Sequence, residues 1–421
     1  MSRLAYLRTV RKLGLGNVAR VASYRLRLRL GRHPVQKVRR TLPAGPFFRA
    51  PDPAALPPVP RAPDFWREEA LFFGRHRAPL GDSPPDWHRN CLTGERAQGV
   101  DRPWWELSDF ATGAGDIKTV WELSRFDWGL AFAQQARGGD EGALTRLNAW
   151  LADWCEHNPA YRGPNWKCGQ EASIRVLHLA VAARILGQEA ASEPALLALV
   201  EAHLARIRPT LSYARAQDNN HGTSEAAALY VGGHWLAGQG VAGAADHAAV
   251  GRRYLEERVL RLVAPDGTFS QYSVNYHRLM LDTLSVVECW RRWGYLPAFS
   301  EAYRARALQA ARWLEAMTDP DTGDAPNLGA NDGANLLPLT GADFRDYRPS
   351  VGLALALFSR EEGGAGVAGG GLVGEHLGWL GVVGAPGEGG LGSSAGEVAA
   401  VGATGGKERF ELTHFSDGGF V

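Results

Sequence analysis

Asp218-Asn219-Asn220-His221-Gly222-Thr223-Ser224-Glu225 places an amide, an imidazole and a carboxylate within eight consecutive residues. The apolar spacing that follows, through Leu229, predicts an amphipathic helix over about 222–237. With Asn220 as N-cap, its side chain satisfies one of the first free backbone N–H groups, and His221 and Glu225 share a face four residues apart. A second polar stretch, Pro265 to Arg278, opens on the turn signal Asp266-Gly267 and carries Gln271, Asn275, Tyr276, His277 and Arg278 to the start of another helix. Two helix starts that both bear polar groups can face one another across one cleft. A third polar loop, Asp321 to Asn335, contains Asn327, Asn331 and Asp332. Upstream, Trp121, Glu122 and Arg125 lie within one helical turn. Flat rings stack on pyranose faces and guanidinium pairs with carboxylates, so this group suits the wall of a sugar site; its structural alternative is an ion pair on an ordinary helix.

The elements that must hold these residues are helical. Leu144, Leu147, Leu151 and Trp154 keep a 3.6-residue period, as do Ile174, Leu177, Val181 and Ile185, the latter stopped by Gly187. Ser192 is placed to cap the next helix, and others are expected at about 222–237, 244–263, 272–293, 301–317 and 344–359. Nothing between them alternates like a strand, and short returns imply antiparallel hairpins, six or so of which close into a ring around a central cleft. Residues 43–63, rich in Pro and Ala, read as an extended strap. The chain has 421 residues, 45% apolar with fourteen Trp, enough for a large core. Its net charge of +1 conceals an asymmetry: residues 1–40 hold twelve Arg or Lys and no acid, leaving a balance of −11 elsewhere. Leu, Val and Tyr interleave with those Arg residues, which argues for amphipathic helices packed on the main body rather than an arm for membrane or nucleic acid. The four Cys have no metal or redox spacing, no apolar run approaches the roughly 20 residues of a membrane span, and no secretory signal is visible.

The chain resembles the heparinase II/III-like family of bacterial polysaccharide lyases. The resemblance rests on Gly115-Asp116-Ile117-Lys118 with Trp121-Glu122-Leu123-Ser124-Arg125, on Asn165-Trp166 with Glu171 and Arg175, on Asn219-Asn220-His221 with Glu225, and on Asp266-Gly267 leading to Ser273 and Tyr276-His277. It implies a mainly α fold: an incomplete (α/α) toroid of helical hairpins followed by an antiparallel β-sandwich, of which only the start is expected here. It also implies cleavage of a uronic-acid-containing polysaccharide by β-elimination. The uronate C5 proton is weakly acidic, so a donor must neutralise the neighbouring carboxylate while the proton leaves. The resemblance gives that part to Asn220 and His221, and gives Tyr276 the part of base or acid. Trp121, Arg125, Asn165, Trp166, Glu225, His277 and Arg278 are then expected to line or support the substrate subsites, with Glu171 and Arg175 as a structural ion pair. His221, His277 and Arg278 are the candidates to hold the Tyr276 phenol near phenolate. Gln271 departs from the pattern, which often has an acid there.

The expected organisation is a basic helical arm and Pro-rich linker over 1–63, the toroid over 64–360, a glycine-dense, poorly packed segment over 361–406, and the first strand of the β domain over 407–421. An acidic polysaccharide is the expected partner, with no nucleic acid, metal or cofactor. As written the chain reads as cytoplasmic, with the periplasm suggested by family analogy. Two other readings stay open: a truncated sugar-binding protein without activity, and a toroid hydrolase using two of Asp266, Glu225 and Asp332.

Overall fold

The computed structural model describes residues 14–52, 54–81, 83–108, 113–359 and 371–382. The chain opens with helix α1 (Leu15–Arg29) and an irregular strap, followed by a β-hairpin of β1 (Glu69–Phe72) and β2 (His76–Pro79), which pair antiparallel with Glu69 opposite Pro79. Ten helices follow as α2 (Lys118–Trp121), α3 (Asp127–Arg137), α4 (Glu141–His157), α5 (Gly169–Ile185), α6 (Pro194–Ile207), α7 (Leu211–Ala216), α8 (Asn220–Gly238), α9 (Ala244–Leu262), α10 (Val274–Trp293) and α11 (Glu301–Met317). The last two are α12 (Arg348–Phe358) and α13 (Gly371–Trp379).

Packing sorts these helices into an inner and an outer row. The inner row runs α3, α5, α8, α10, α12, each touching the next; α4, α6, α9, α11 and α13 pack behind them in the same order. The burial pattern accounts for the sorting. In α5, α8 and α10 nearly every residue is buried, because both sides of an inner helix meet protein. The outer α4 and α11 bury one stripe, such as Leu147, Leu151 and Trp154 in α4. Five hairpins result among the described residues, against the six or so that the spacing suggested, and the protein is mainly α, an incomplete (α/α) toroid. Gln134 of α3 donates to Leu339 O just before α12, tying the two ends of the inner row.

Three elements differ from expectation. The β-hairpin escapes the alternation rule because each strand is only four residues long. Ser192 does not cap α6: Glu193 holds the N-cap position, while the Ser192 hydroxyl donates to Gln188 O and accepts from Trp235 Nε1. Within the glycine-dense segment, α13 is a helix packed on α12, with Leu377, Trp379 and Leu380 buried. The strand expected over 409–421 and the rest of that segment lie outside the described residues.

The strap is pinned where the Phe47 and Phe48 N–H groups donate to Asn148 Oδ1, at 2.7 and 3.0 Å. Helix α1 packs on α7: Tyr24 stacks on Tyr213 with ring centroids 4.1 Å apart, and Asn17 Nδ2 donates to Asp218 Oδ2 at 2.7 Å. Among the described residues no helix is long and apolar enough to cross a membrane.

Candidate active site

The head of α8 is built one residue out of register with the sequence reading. Asn219, extended at φ −138°, is the N-cap, and its side chain accepts from the His221 N–H at 3.1 Å. Asn220 is already helical and buried. Its N–H donates to Gln271 Oε1 at 2.9 Å and its amide to Gln170 Oε1 at 3.0 Å. The first of these bonds joins the two polar helix starts, and it needs only an acceptor oxygen, which an amide supplies as well as an acid. Asp218 just before the cap has φ +48°, a left-handed conformation uncommon outside glycine. It is held there by Asn17, Arg258 and Arg261, all donating to its carboxylate at 2.7–2.9 Å.

His221 and Glu225 reach a cavity of about 300 Å³ that Trp121, Lys167 and Cys168 also line. Burial lowers the His221 pKa against the pull of Glu225, Glu171 and Asp332, so the imidazole favours its neutral, proton-accepting form. Burial pushes Glu225 up to about 8 against the opposing charges of His221 and Arg206. Its carboxyl lies against the first residue of α5: a Cβ on Gly169 would stand 2.2 Å from Glu225 Oε1. Cys168 Sγ is 4.0 Å from His221 Nδ1, but burial and Glu171 push the thiol up to about 11. A thiol held protonated is a poor nucleophile, and it leaves the imidazole available.

Helix α2 separates this cavity from a second, of about 470 Å³, lined by Phe73, Lys118, Thr119, Asn327, Asn331 and Asp332. Trp121 faces the first cavity and anchors its Nε1 on Pro164 O at 2.9 Å. Tyr276 of α10 meets the second cavity through its wall residue Asp332. Its hydroxyl donates to Asp332 Oδ2 at 2.7 Å, and Lys118 Nζ lies 3.6 Å from the same oxygen. Burial, then the Asp332 charge, raise the phenol well above its ordinary pKa. The sequence reading named Asp332 without linking it to Tyr276, since 56 residues separate the two.

Several expected site residues are in the wall rather than on its surface. Arg125 is the centre of a buried triad, bidentate to Glu171 at 2.8 and 3.0 Å and bonded to Glu122 at 2.9 Å. The ion pair of Glu171 is therefore with Arg125. Arg175 instead donates to His203 Nε2 at 2.8 Å and Asn165 O at 2.8 Å, among the faces of Trp154 and Trp166. Asn165 and Trp166 are fully buried, Asn165 donating to Trp87 O and Asn158 Oδ1, and Trp166 to Asn158 O. His277 stacks on Trp313 and bonds Ala310 O; Arg278 donates to Phe344 O and Asn275 Oδ1. Among the described hydrogen bonds neither reaches the Tyr276 hydroxyl, whose partner is Asp332. Asp266 accepts from Thr268 N at 2.9 Å and so closes its own turn.

Fold and site together define a helical toroid in which two adjacent inner helices begin with an imidazole, an amide and a phenol bonded to a loop carboxylate. The family described as Heparinase II/III N-terminus matches residues 92–336, more than half of the chain, and the chain belongs to that family. Two solved structures are similar to it. One is heparinase III, 18% identical, with 54% of this chain and 36% of that one covered and a TM-score of 0.41. The other is the heparan sulfate lyase HepC from Pedobacter heparinus, 19% identical, covering 62% and 38%, with a TM-score of 0.39. The chain thus spans well under two thirds of the length of either. No curated protein matches it.

Proposed function

We propose that the protein is a polysaccharide lyase that cleaves a uronic-acid-containing polysaccharide by β-elimination. The observation that carries this reading is a proton acceptor and a proton donor at the heads of two adjacent inner helices, which the Asn220 N–H bond to Gln271 joins: His221 kept neutral, and Tyr276 kept protonated against Asp332. Elimination needs both. The C5–H bond breaks and its proton goes to the imidazole; the electron pair forms the C4–C5 double bond; the C4–O bond breaks and the leaving oxygen takes the Tyr276 proton. Asn220 has one amide N–H committed to Gln170 and a second to offer the uronate carboxylate. Trp121 supplies a face for a sugar ring. Family membership supports this assignment, as does a wall made rigid by the Arg125 triad behind it. The domain division proposed with it sets a basic arm and linker over 1–63 against a toroid over 64–360.

The test is incubation with glucuronate- and iduronate-containing polymers, followed in the ultraviolet for the unsaturated uronate end. Turnover is expected from the parent chain and is lost in Tyr276→Phe, whose circular dichroism stays unchanged. Saturated reducing ends as the sole product would instead mark a hydrolase and overturn the reading.

A further inference from the structure

The cavity beside His221 has a wall that belongs to the basic arm. Tyr24, Arg25 and Leu28 of α1 line it, opposite Lys167, Arg206 and His221. The position of α1 is fixed rather than incidental, because Tyr24 stacks on Tyr213 and Asn17 bonds Asp218, the residue that leads into the cap of α8. The exposed Arg25 makes no hydrogen bond or ion pair among the described residues. Arg206, by contrast, is buried and donates through three of its N–H groups to Trp166 O, Lys167 O and Thr210 Oγ1, all neutral acceptors. It lies over the Trp104 ring at 3.7 Å, and no carboxylate pairs with it among the described residues. Lys167 Nζ donates to Leu107 O at 2.7 Å.

The balance of charge around the cavity is therefore one-sided. Three cations line it, and the one carboxyl among its described lining residues is Glu225, which burial keeps protonated up to about pH 8. This concentration of positive charge occurs where the arm meets a body that is otherwise acidic, with a balance of −11 beyond residue 40. A concave, positive, low-dielectric surface concentrates anions, and a guanidinium pairs with a planar carboxylate or a sulfate ester through charge-assisted bonds. The same walls present Trp105 and Trp121, which offer aromatic surface to a sugar ring.

We propose that α1 completes an anion-binding subsite in which Arg25, with Lys167 and Arg206, holds the carboxylate or sulfate ester of the sugar unit adjoining the one that reacts at His221. The proposal rests on the lyase reading only for which unit is cleaved; the recognition of an acidic sugar stands apart from it. Arg25 is a specificity residue here, selecting acidic over neutral chains.

Binding is measured by calorimetry on the full chain carrying Tyr276→Phe, so that no turnover intervenes. The probes are a tetrasaccharide of alternating glucuronate and N-acetylglucosamine, its sulfated counterpart, and uncharged cellotetraose. Arg25→Ala is expected to weaken the acidic tetrasaccharides about tenfold and flatten their salt dependence, Arg25→Lys to retain most of the affinity, and cellotetraose to be unaffected. A larger loss for the sulfated probe identifies a sulfate ester as the anion; equal losses identify the carboxylate. Unchanged affinity for both acidic probes, or an equal loss for cellotetraose, overturns the subsite. If the parent chain yields no unsaturated product while Arg25→Ala still loses acidic-probe affinity, the lyase reading falls and the subsite stands.

Discussion

Tyr276 directs its proton at Asp332 over 2.7 Å, and the acidity of the phenol is set by that contact together with burial. Removing the negative charge while keeping the shape lowers the cost of forming phenolate. Asp332→Asn is therefore expected to move the Tyr276 titration downward, read as the difference in phenolate absorbance against the same variant carrying Tyr276→Phe. An unmoved titration would show that burial alone sets the phenol. The helix starts that carry Asn220, His221 and Tyr276 were legible in the sequence because turn and cap chemistry announces a helix start. Asn165, Trp166, His277 and Arg278 were misread for a related reason. Spacing says which residues share a helix face but not whether that face meets a cleft or a neighbouring helix. Their partners decide it: Asn165 and Trp166 bond Trp87 O and Asn158, His277 stacks on Trp313 and bonds Ala310 O, and Arg278 bonds Phe344 O and Asn275 Oδ1. The partner of Tyr276 was hidden because a bond across 56 residues belongs to the ring, not to any local pattern.

At the scale of elements, the position of His221 depends on how closely α8 lies against α9. Two glycines allow that approach. A Cβ on Gly251 would stand 2.3 Å from Tyr230 N and 2.7 Å from Ala226 O, and one on Gly233 would stand 2.4 Å from Ala248 N. The atoms in the way are backbone, so the helices themselves must part. Gly251→Ala is expected to cost about 2–3 kcal/mol in denaturant melts and to lower turnover as the head of α8 moves. Gly238→Ala, where an added Cβ meets nothing within 4 Å, serves as the control and should be neutral or stabilising by up to about 1 kcal/mol. A Gly251→Ala protein as stable as this control would mean that the pair can separate without penalty. The long helices α8, α10 and α11 were readable because their apolar periods persist over 17–20 residues. The β-hairpin and α13 were not, the first for its four-residue strands and the second because glycine-dense composition hides a segment that its neighbour α12 makes helical.

The whole molecule carries an unusual load of titratable groups in its interior, and its stability should depend on pH from both sides. Burial pushes Glu225 from 4.5 up to about 8 and Asp282 from 3.8 to about 6, and it raises Asp127 as well. Folded, these groups keep protons that the unfolded chain has already released, so their effect is to reduce stability as pH rises from about 4.5 through about 8. The histidines act in the opposite sense. Burial lowers His178, His277 and His376 from 6.5 to about 4, so the unfolded chain takes up protons that the folded one refuses, and stability falls as pH drops from 6.5 towards 4. Between these limits the two sets oppose one another, which places the maximum at roughly pH 5 to 6.5. Melting temperatures measured across pH 4 to 9 are expected to fall on either side of that maximum. Glu225→Gln removes one of the alkaline groups and should flatten that arm while leaving the acid arm intact; His376→Leu, at a buried imidazole with neither nitrogen hydrogen-bonded among the described residues, should flatten the acid arm alone. A melting temperature that stays level from pH 6.5 to 8.5 and is indifferent to Glu225→Gln would mean that Glu225 ionises in the ordinary carboxyl range. It would also restore a negative charge to the cavity that Arg25 faces, so the same titration constrains the electrostatics on which recognition of an acidic sugar depends.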